Sequence, residues 1–263
     1  MNIVEENMQE IYSENVKIEE YYADYQGKLQ IKWLSDILSY MAGKHSVLGG
    51  VSVADLNPLG QTWMLLRLHL VIDKMPSKCE NVKVNTWSST TERLFAVRDF
   101  QIVDDKGAEI IYGDSRWMIV DVERRRPVRL NDLVIQGTEI TAKKIGHRDI
   151  PSMLNERNIP NNLSECKAFY ATYSNIDFNG HVTQSSYVRW ITDALSFDFL
   201  TKHELREIEV AYEHEVLPDT HVMSTYEVLA DSVENHVVIL HKLISEDGSV
   251  VHCTAKTIWS KKK

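Results

Sequence analysis

The chain contains an internal repeat, and this repeat restricts the fold more than any other feature of the sequence. The segment DYQGKL at 24–29 matches DFNGHV at 177–182, 153 positions later. The segment IKWLSDIL at 31–38 matches VRWITDAL at 188–195, 157 positions later. Because the separation grows by four residues, about one helical turn, the second helix is predicted to have gained a turn at its start. Two copies of one supersecondary unit are therefore expected.

The first copy is predicted to contain a strand, a helix and then about four strands. Apolar residues at helical spacing predict a helix over 29–42, and Gly43 is expected to end it. Alternation or β-branched and aromatic content predicts the strands at 65–72, 82–88, 95–104 and 109–121. A hairpin turn is expected at Asp105-Lys106-Gly107.

The second copy repeats this order, with a strand over 166–174 and a helix over 183–200. Its later strands are predicted near 206–216, 221–230, 235–245 and 249–260, with a turn at Asp247-Gly248. Trp117 and Trp259, 142 positions apart, match near the ends of the two copies. The polar segment between the copies is interpreted as a crossover linker with a short helix.

These patterns predict an α+β fold in which each copy packs a helix against an antiparallel sheet. The expected boundaries are an N-terminal domain over 1–130, a linker over 131–165 and a C-terminal domain over 166–263. Pairing the two sheets edge to edge would hide a strand edge that is otherwise exposed.

Composition excludes several functional classes. A net charge of −9 argues against a general nucleic-acid binder. No run of about 18 apolar residues predicts a membrane span, and the acidic N-terminus does not have the pattern of a signal peptide. Three widely spaced cysteines predict neither a disulfide scaffold nor a zinc site, so a reducing cytoplasm is the expected location.

The two copies differ at polar positions of the short segment before each helix. Gln26 stands where the second copy has Asn179, and Lys28 where it has His181, whereas Asp177 matches an aspartate of the first copy. A carboxylate, an amide and an imidazole within five residues suit acyl transfer to water. Asn-Gly is also a common turn sequence, and Asp177 could equally be a cap or turn residue.

The segment SNIDFNGHVTQSSYVRWITDAL at 174–195 resembles the Asp-x-Asn-x-His-Val segment of acyl-ACP thioesterases of plant plastids and bacteria. The segments at 57–87 and 98–130 resemble first-half strands of the same family. The resemblance covers nearly the whole chain, and it implies a tandem (double) hot-dog fold. It also implies hydrolysis of fatty acyl-ACP in fatty acid biosynthesis, without a metal or an organic cofactor.

The resemblance implies four catalytic positions. Asp177, Asn179 and His181 match the Asp-x-Asn-x-His motif, and Glu215 matches a glutamate that the family places in a strand beyond the helix. The cysteine that follows this glutamate in the family is replaced here by Val216, which favours carboxylate chemistry over a cysteine nucleophile. Glu213 and His214 are weaker alternatives to Glu215.

The hypothesis for the mechanism is that Asp177 activates water or attacks the thioester. Asn179 and Glu215 would position the water and Asp177, while His181 holds the carboxylate and its proton. Backbone N–H groups of residues 181–184, at the start of the helix, are expected to hold the oxyanion.

The first copy lacks the asparagine and the histidine, so it is expected to be non-catalytic, and the resemblance implies that its interior receives the acyl chain. The expected partner is acyl carrier protein with the acyl chain on its 4'-phosphopantetheine. Because such carriers are acidic, the exposed cluster Arg124, Arg125 and Arg126 is a candidate contact. An acyl-CoA thioesterase, a hot-dog dehydratase and a non-catalytic acyl-binding module are the alternatives. The chain could be a monomer or a homodimer.

Overall fold

The computed structural model describes residues 11–132, 134–135, 138, 141, 145–154, 165–229 and 235–262. The chain divides into two units. The first comprises Met1–Leu29, Asp36–Leu66 and Met75–Ile150, and the second comprises Gln30–Ser35, Arg67–Lys74 and Pro151–Lys263. The predicted boundaries at 130 and 165 follow the repeat rather than this division, and they stay a prediction.

The first unit is built on an antiparallel sheet. Its elements are β1 (Tyr12–Lys17), α1 (Ile31–Leu48) from Asp36 onwards, α2 (Val53–Leu56), β2 (Gln61–Ile72) as far as Leu66, β3 (Asn81–Glu92), β4 (Phe95–Val103), β5 (Glu109–Asp121) and β6 (Arg126–Val128). The strand order is β1-β3-β4-β5-β2, with β6 paired to β5. The four strands predicted after the helix are confirmed, and so is the turn at 105–107, where Gly107 has a φ of 81°.

Helix α1 is longer than the sequence pattern predicted. Leu34, Leu38, Met41 and His45 are all buried and recur every three or four residues along one face. The expected end at Gly43 is wrong, because the buried face continues beyond it to His45 and the helix ends only at Leu48. Burial on both sides of the glycine offsets the roughly 1 kcal/mol that glycine costs in a helix interior.

The second unit has the same plan. Its elements are the part of β2 from Arg67, then β7 (Glu165–Tyr170), α3 (Gln184–Asp193), α4 (Phe197–Lys202), β8 (His203–Tyr212), β9 (His221–Val228), β10 (His236–Ser245) and β11 (Val251–Lys261). The strand order is β2-β8-β11-β10-β9-β7, and α3 packs against β9 and β10. A helix against an antiparallel sheet in each unit confirms the α+β class.

Two predicted elements of the second copy are too long. The strand predicted over 166–174 ends at Tyr170 and is followed by a 3-10 turn at Tyr173–Asn175. The helix predicted over 183–200 is two helices, because the Ser196 hydroxyl accepts a hydrogen bond from the Phe199 N–H and begins a new helix there. A serine N-cap competes with continuation of the first helix.

The repeat is visible in side-chain contacts. The Trp117 indole donates to the hydroxyl of Ser115 at 2.7 Å, and the Trp259 indole donates to the hydroxyl of Thr257 at 2.7 Å. The matching tryptophans of the helices also confirm the predicted extra turn. Trp33 is the third residue of α1 and Trp190 the seventh residue of α3, so four more residues precede the second tryptophan.

About half of the predicted linker over 131–165 lies outside the described residues, but residues 145–154 are described. In the first unit, buried Asp99 accepts a hydrogen bond from the Arg148 N–H at 3.3 Å and pairs with the His147 ring at 2.9 Å. In the second unit, buried Glu209 accepts from the Leu154 N–H at 3.1 Å. Because a buried carboxylate requires such partners, each fixes the adjoining linker segment on its own unit.

Across the described residues, no helix combines the length and the apolar character that crossing a membrane requires.

Buried His241 makes a testable contribution to stability. Its ring lies on β10, contacts the Thr257 hydroxyl at 2.8 Å and is fully buried, and burial lowers its pKa from 6.5 to about 3. The unfolded chain therefore binds a proton below pH 6.5 that the folded chain excludes, and the free energy of unfolding falls as the pH drops from 6.5 towards 3. One such group contributes a slope of up to about 1.4 kcal/mol per pH unit.

Between pH 7 and pH 4.5, we expect the free energy of unfolding, measured with urea, to fall less for His241→Gln than it does for the wild type. The matched control is His236→Gln, an exposed histidine on the same strand, which should follow the wild type. Parallel stability curves for wild type and His241→Gln would contradict the assignment.

Candidate functional site

The segment from Asp177 to His181 forms a tight turn around one carboxylate oxygen. Oδ1 of Asp177 accepts hydrogen bonds from the N–H groups of Asn179 at 2.9 Å and His181 at 3.2 Å. The Asp177 N–H donates in turn to the His181 carbonyl at 2.8 Å. Gly180 has a φ of 83°, a conformation in which glycine is favoured. The aspartate thus caps its own turn, as short polar side chains do.

The first copy folds the same way around Asp24. Its Oδ1 accepts from the N–H groups of Gln26 at 2.8 Å and Lys28 at 2.9 Å, and its N–H donates to the Lys28 carbonyl at 2.7 Å. The turn role considered for Asp177 is therefore observed for the matching aspartate of both copies. Because the turn is shared, the residues that distinguish the second copy are those that the turn does not require.

Two residues that distinguish the second copy, His181 and Glu215, have side chains in contact. Nε2 of His181 is 3.3 Å from Oε2 of Glu215, with the two side chains 35% and 46% exposed. The expectation that Glu215 lies in a strand is wrong, because β8 ends at Tyr212. Beyond it, the Glu213 and His214 N–H groups both donate to the carbonyl of one residue, His252, so the strand ladder stops before Glu215.

Buried Val216 connects the Glu215 loop to the rest of the site. Its carbonyl accepts from the Val182 N–H at 3.1 Å, and its N–H donates to the Tyr187 hydroxyl at 2.8 Å. Tyr187 also donates to the His214 carbonyl at 3.4 Å. Tyr187 is not among the site residues predicted from the sequence. A hydroxyl at a core position is the signal that could have identified it.

The Asn179 side chain is exposed on the turn, and within the described residues no hydrogen bond joins it to His181 or Glu215. The structure therefore brings His181 and Glu215 into contact, places Asp177 at the centre of the turn that holds His181, and leaves the Asn179 amide facing solvent. An exposed amide beside a histidine–carboxylate pair is available to a bound substrate.

The predicted oxyanion site at the backbone of residues 181–184 is wrong for three of its four donors. The His181 N–H donates to Asp177, the Val182 N–H to the Val216 carbonyl, and the Thr183 N–H to the Asn175 carbonyl at 2.8 Å. The sequence pattern indicated a free helix end at these N–H groups, whereas acceptors in the turn and in neighbouring segments already use them.

Comparison with known proteins places this chain in a family. The family model described as the acyl-ACP thioesterase N-terminal domain matches residues 9–138, and that of the acyl-ACP thioesterase C-terminal domain matches residues 160–261. The chain belongs to the acyl-ACP thioesterase family. This confirms the resemblance that the Asp-x-Asn-x-His-Val segment suggested.

Among curated relatives of this family, a chloroplastic palmitoyl-acyl carrier protein thioesterase of Gossypium hirsutum is 23% identical over 96% of this chain and 64% of its own length. A chloroplastic oleoyl-acyl carrier protein thioesterase of Arabidopsis thaliana is 24% identical over 90% of this chain and 67% of its own length. The chain thus spans about two thirds of the length of these relatives.

Two solved structures match this chain over nearly their full length. An acyl-ACP thioesterase from Bacteroides thetaiotaomicron is 28% identical, with a TM-score of 0.81 and coverage of 95% of this chain and 98% of that one. A structure described as an oleoyl thioesterase from Lactobacillus plantarum has a TM-score of 0.86 at 24% identity, covering 96% and 97%. These matches confirm the tandem hot-dog fold.

Val216, which stands where the resemblance implies a cysteine, is buried. Cys253 is also buried, and desolvation raises the pKa of its thiol well above the usual range. Cys79 and Cys166 are exposed. No cluster of three or more metal-ligating side chains occurs among the described residues.

We expect Cys79 and Cys166 of the native protein to react with a thiol reagent such as DTNB. Cys253 should react only after unfolding, because only thiolates at accessible positions are reactive. Counting the released chromophore before and after denaturation tests this. Rapid native labelling of Cys253, located by mass spectrometry, would contradict it.

The cluster of Arg124, Arg125 and Arg126 lies in the first unit, at the turn between β5 and β6. All three side chains are exposed, and Arg125 has a φ of 50°. Nη1 of Arg124 is 3.6 Å from Oδ2 of Asp121, which offsets part of the cluster's positive charge. The hairpin presents the remaining charge to solvent, while its role as a contact for the carrier stays a prediction.

Proposed function

We propose that this chain hydrolyses the thioester between a fatty acyl group and the 4'-phosphopantetheine of acyl carrier protein, releasing the free fatty acid. Membership of the acyl-ACP thioesterase family supports the reaction class. The observation that carries the proposal for this chain is the contact between His181 and Glu215 beside the Asp177 turn. Lys28 replaces the histidine in the first copy, so the contact belongs to the second copy.

In the proposed reaction, water adds to the thioester carbonyl carbon, and the tetrahedral intermediate collapses with cleavage of the carbon–sulfur bond. The proton taken from water returns to the departing thiolate. A base for the first step and an acid for the second are needed, and a single side chain can serve as both. The products are the fatty acid and the carrier thiol, so the reaction consumes only water.

Within this scheme, Oδ2 of Asp177 is the atom that removes the proton from water, since Oδ1 is hydrogen-bonded within the turn. If Oδ2 instead attacks the carbonyl carbon, the carrier thiolate leaves with a proton, and water then hydrolyses the resulting acyl anhydride to the fatty acid and the free Asp177 carboxylate. Glu215 orients the imidazole of His181, as a carboxylate orients histidine in many hydrolases. The Asn179 amide, which is exposed on the turn, donates to the developing oxyanion in place of the backbone N–H groups.

Asp177→Asn and Asp24→Asn form a matched pair that separates the turn from the chemistry. Asparagine keeps an oxygen that accepts the same two N–H groups, so both variants should retain the fold with similar melting temperatures. We expect Asp177→Asn to lower kcat/KM by about 10²–10⁴, the usual contribution of a general base, and Asp24→Asn to change it less than about threefold.

The measurement is release of free fatty acid from acyl carrier proteins with C8 to C18 chains, with matched acyl-CoAs alongside. Faster hydrolysis of the carrier-bound chains supports the proposal and reveals the preferred length. Preference for CoA would identify an acyl-CoA thioesterase, and no hydrolysis of either would indicate a non-catalytic acyl-binding module. Activity of Asp177→Asn within about twofold of wild type would limit Asp177 to the turn.

The first unit is proposed to bind the acyl chain without catalysing its release. Its turn carries Gln26 and Lys28 in place of the asparagine and histidine, and the Lys28 ammonium donates to the Ser77 hydroxyl at 3.0 Å. A lysine ammonium that is hydrogen-bonded to a serine does not reproduce the histidine–carboxylate pair of the second unit. A cytoplasmic location is also proposed, on the evidence of three free cysteines.

Arg125 allows a controlled test of the proposed carrier contact. Arg125 and Arg93 are both exposed arginines at hairpin turns of the first unit, with φ values of 50° and 54°. Arg125→Glu and Arg93→Glu therefore change the net charge and strain equally. We expect Arg125→Glu to raise KM for acyl-ACP about three- to tenfold at low salt and by less at high salt. The KM for acyl-CoA should not change. Equal effects of the two variants would refute a local contact.

A further inference from the structure

The hydroxyl of Tyr187 lies between the two peptide groups that flank Glu215. It accepts a hydrogen bond from the Val216 N–H at 2.8 Å and donates to the His214 carbonyl at 3.4 Å. The side chain is buried, and burial raises the pKa of Tyr187 well above its usual value, so the hydroxyl keeps the proton that it donates. One atom therefore contacts the chain on both sides of Glu215.

The bond to Val216 satisfies a strict requirement. Val216 is fully buried, so its N–H and its carbonyl must both find partners inside the protein. The carbonyl is paired with the Val182 N–H at 3.1 Å. Val182 follows His181 directly, which means that the two bonds of Val216 connect the Glu215 loop to the turn of His181 and to helix α3.

The first copy shows which parts of this arrangement the fold itself needs. There the Leu29 N–H donates to the Pro76 carbonyl at 2.8 Å, as the Val182 N–H donates to Val216. Leu29 follows Lys28 as Val182 follows His181, so Pro76 occupies the position of Val216. Proline has no N–H to satisfy. The bond between loop and turn is thus common to both copies, and the bond to a tyrosine is not.

The residues around that bond differ between the copies as a set. Tyr187 directly precedes the helix segment 188–195, and Gln30, which has no hydroxyl, directly precedes the matching segment 31–38. Met75 precedes Pro76 where Glu215 precedes Val216. The second copy therefore has a histidine, a glutamate, an N–H at the next residue and a hydroxyl for that N–H, while the first copy lacks all four.

We propose that Tyr187 is a positioning residue for hydrolysis, and that its hydroxyl holds the 214–216 segment so that Glu215 reaches His181. The inference rests on the proposed function, because Glu215 and His181 are its proposed catalytic pair. Tyr187 acts through Glu215 and does not contact the reacting atoms.

Tyr212 provides a matched control. Its ring packs against that of Tyr187 with centroids 5.5 Å apart, and its hydroxyl donates to the Gln184 carbonyl at 3.5 Å rather than to the Glu215 loop. Tyr187→Phe and Tyr212→Phe each remove one oxygen atom from the same aromatic cluster. Only the first leaves the Val216 N–H without its partner.

The first experiment compares steady-state hydrolysis of acyl-ACP by the two variants, each also combined with Glu215→Gln. We expect Tyr187→Phe to lower kcat about tenfold with little change in KM, and Tyr212→Phe to change kcat less than about twofold. In the Glu215→Gln background, Tyr187→Phe should lower kcat by less than about twofold, because the carboxylate that Tyr187 positions is already absent. An equal loss in both backgrounds would overturn the proposal.

The second experiment does not depend on activity. Amide hydrogen exchange at Val216, followed by NMR, should be at least about tenfold faster in Tyr187→Phe than in wild type, and unchanged in Tyr212→Phe. Unchanged protection of Val216 in Tyr187→Phe would overturn the proposal even if kcat fell. If the wild type hydrolysed no acyl-ACP, the proposed function would fail, and the exchange rates would still decide whether Tyr187 holds the loop.

Discussion

The peptide groups of Val216 are buried away from solvent, and the geometry of the candidate site follows from how they are paired. A buried N–H or carbonyl without a partner costs about 1–3 kcal/mol, a large share of the stability of a small domain. The carbonyl is paired with the Val182 N–H and the N–H with the Tyr187 hydroxyl. Both partners belong to the segment that follows the Asp177 turn. Pairing the N–H and the carbonyl of Val216 therefore also brings Glu215 into contact with His181.

Duplication makes it possible to separate what the fold needs from what the site adds. Both copies keep an aspartate that accepts two backbone N–H groups, a glycine at positive φ and a bond between turn and loop. These shared features stabilise the loop before each helix. The histidine–glutamate contact occurs in the second copy alone, and Lys28 bonds Ser77 in the first. Differences between two copies of one fold are thus evidence for function that a single copy could not supply.

Much of the fold could be predicted from the sequence because it depends on periodic burial. The strands after each helix and the turn at Gly107 follow from alternation and turn residues alone. The ends of elements could not be predicted in this way. Gly43 does not end α1, since burial on both sides outweighs its low helix propensity, and Ser196 divides the second helix because its hydroxyl finds the Phe199 N–H. Both outcomes depend on contacts that the sequence does not display.

The site shows the same division. The candidates Asn179 and His181 stand out when the copies are compared, and Asp177 and Glu215 through resemblance to the family pattern, because residue identity carries that information. Residue identity does not reveal which acceptor each backbone N–H bonds. The oxyanion donors predicted at residues 181–183 are therefore wrong. Tyr187 was overlooked for a related reason. A tyrosine on a buried helix face looks like core until the acceptor and donor of its hydroxyl are known.

The two interpretations of Asp177, turn residue and catalyst, are compatible because they use different oxygens. Oδ1 accepts both N–H groups, as the equivalent atom of Asp24 does in a copy without the histidine. If Oδ2 takes a proton from water, Oδ1 remains an acceptor, and the turn that holds His181 persists through the step. The turn also fixes the orientation of the carboxylate before substrate binds, which lowers the cost of reorganising it during the reaction. Under the proposed function, a structural aspartate at this position is therefore already oriented for its step once a histidine, a glutamate and a means of holding the glutamate are added beside it.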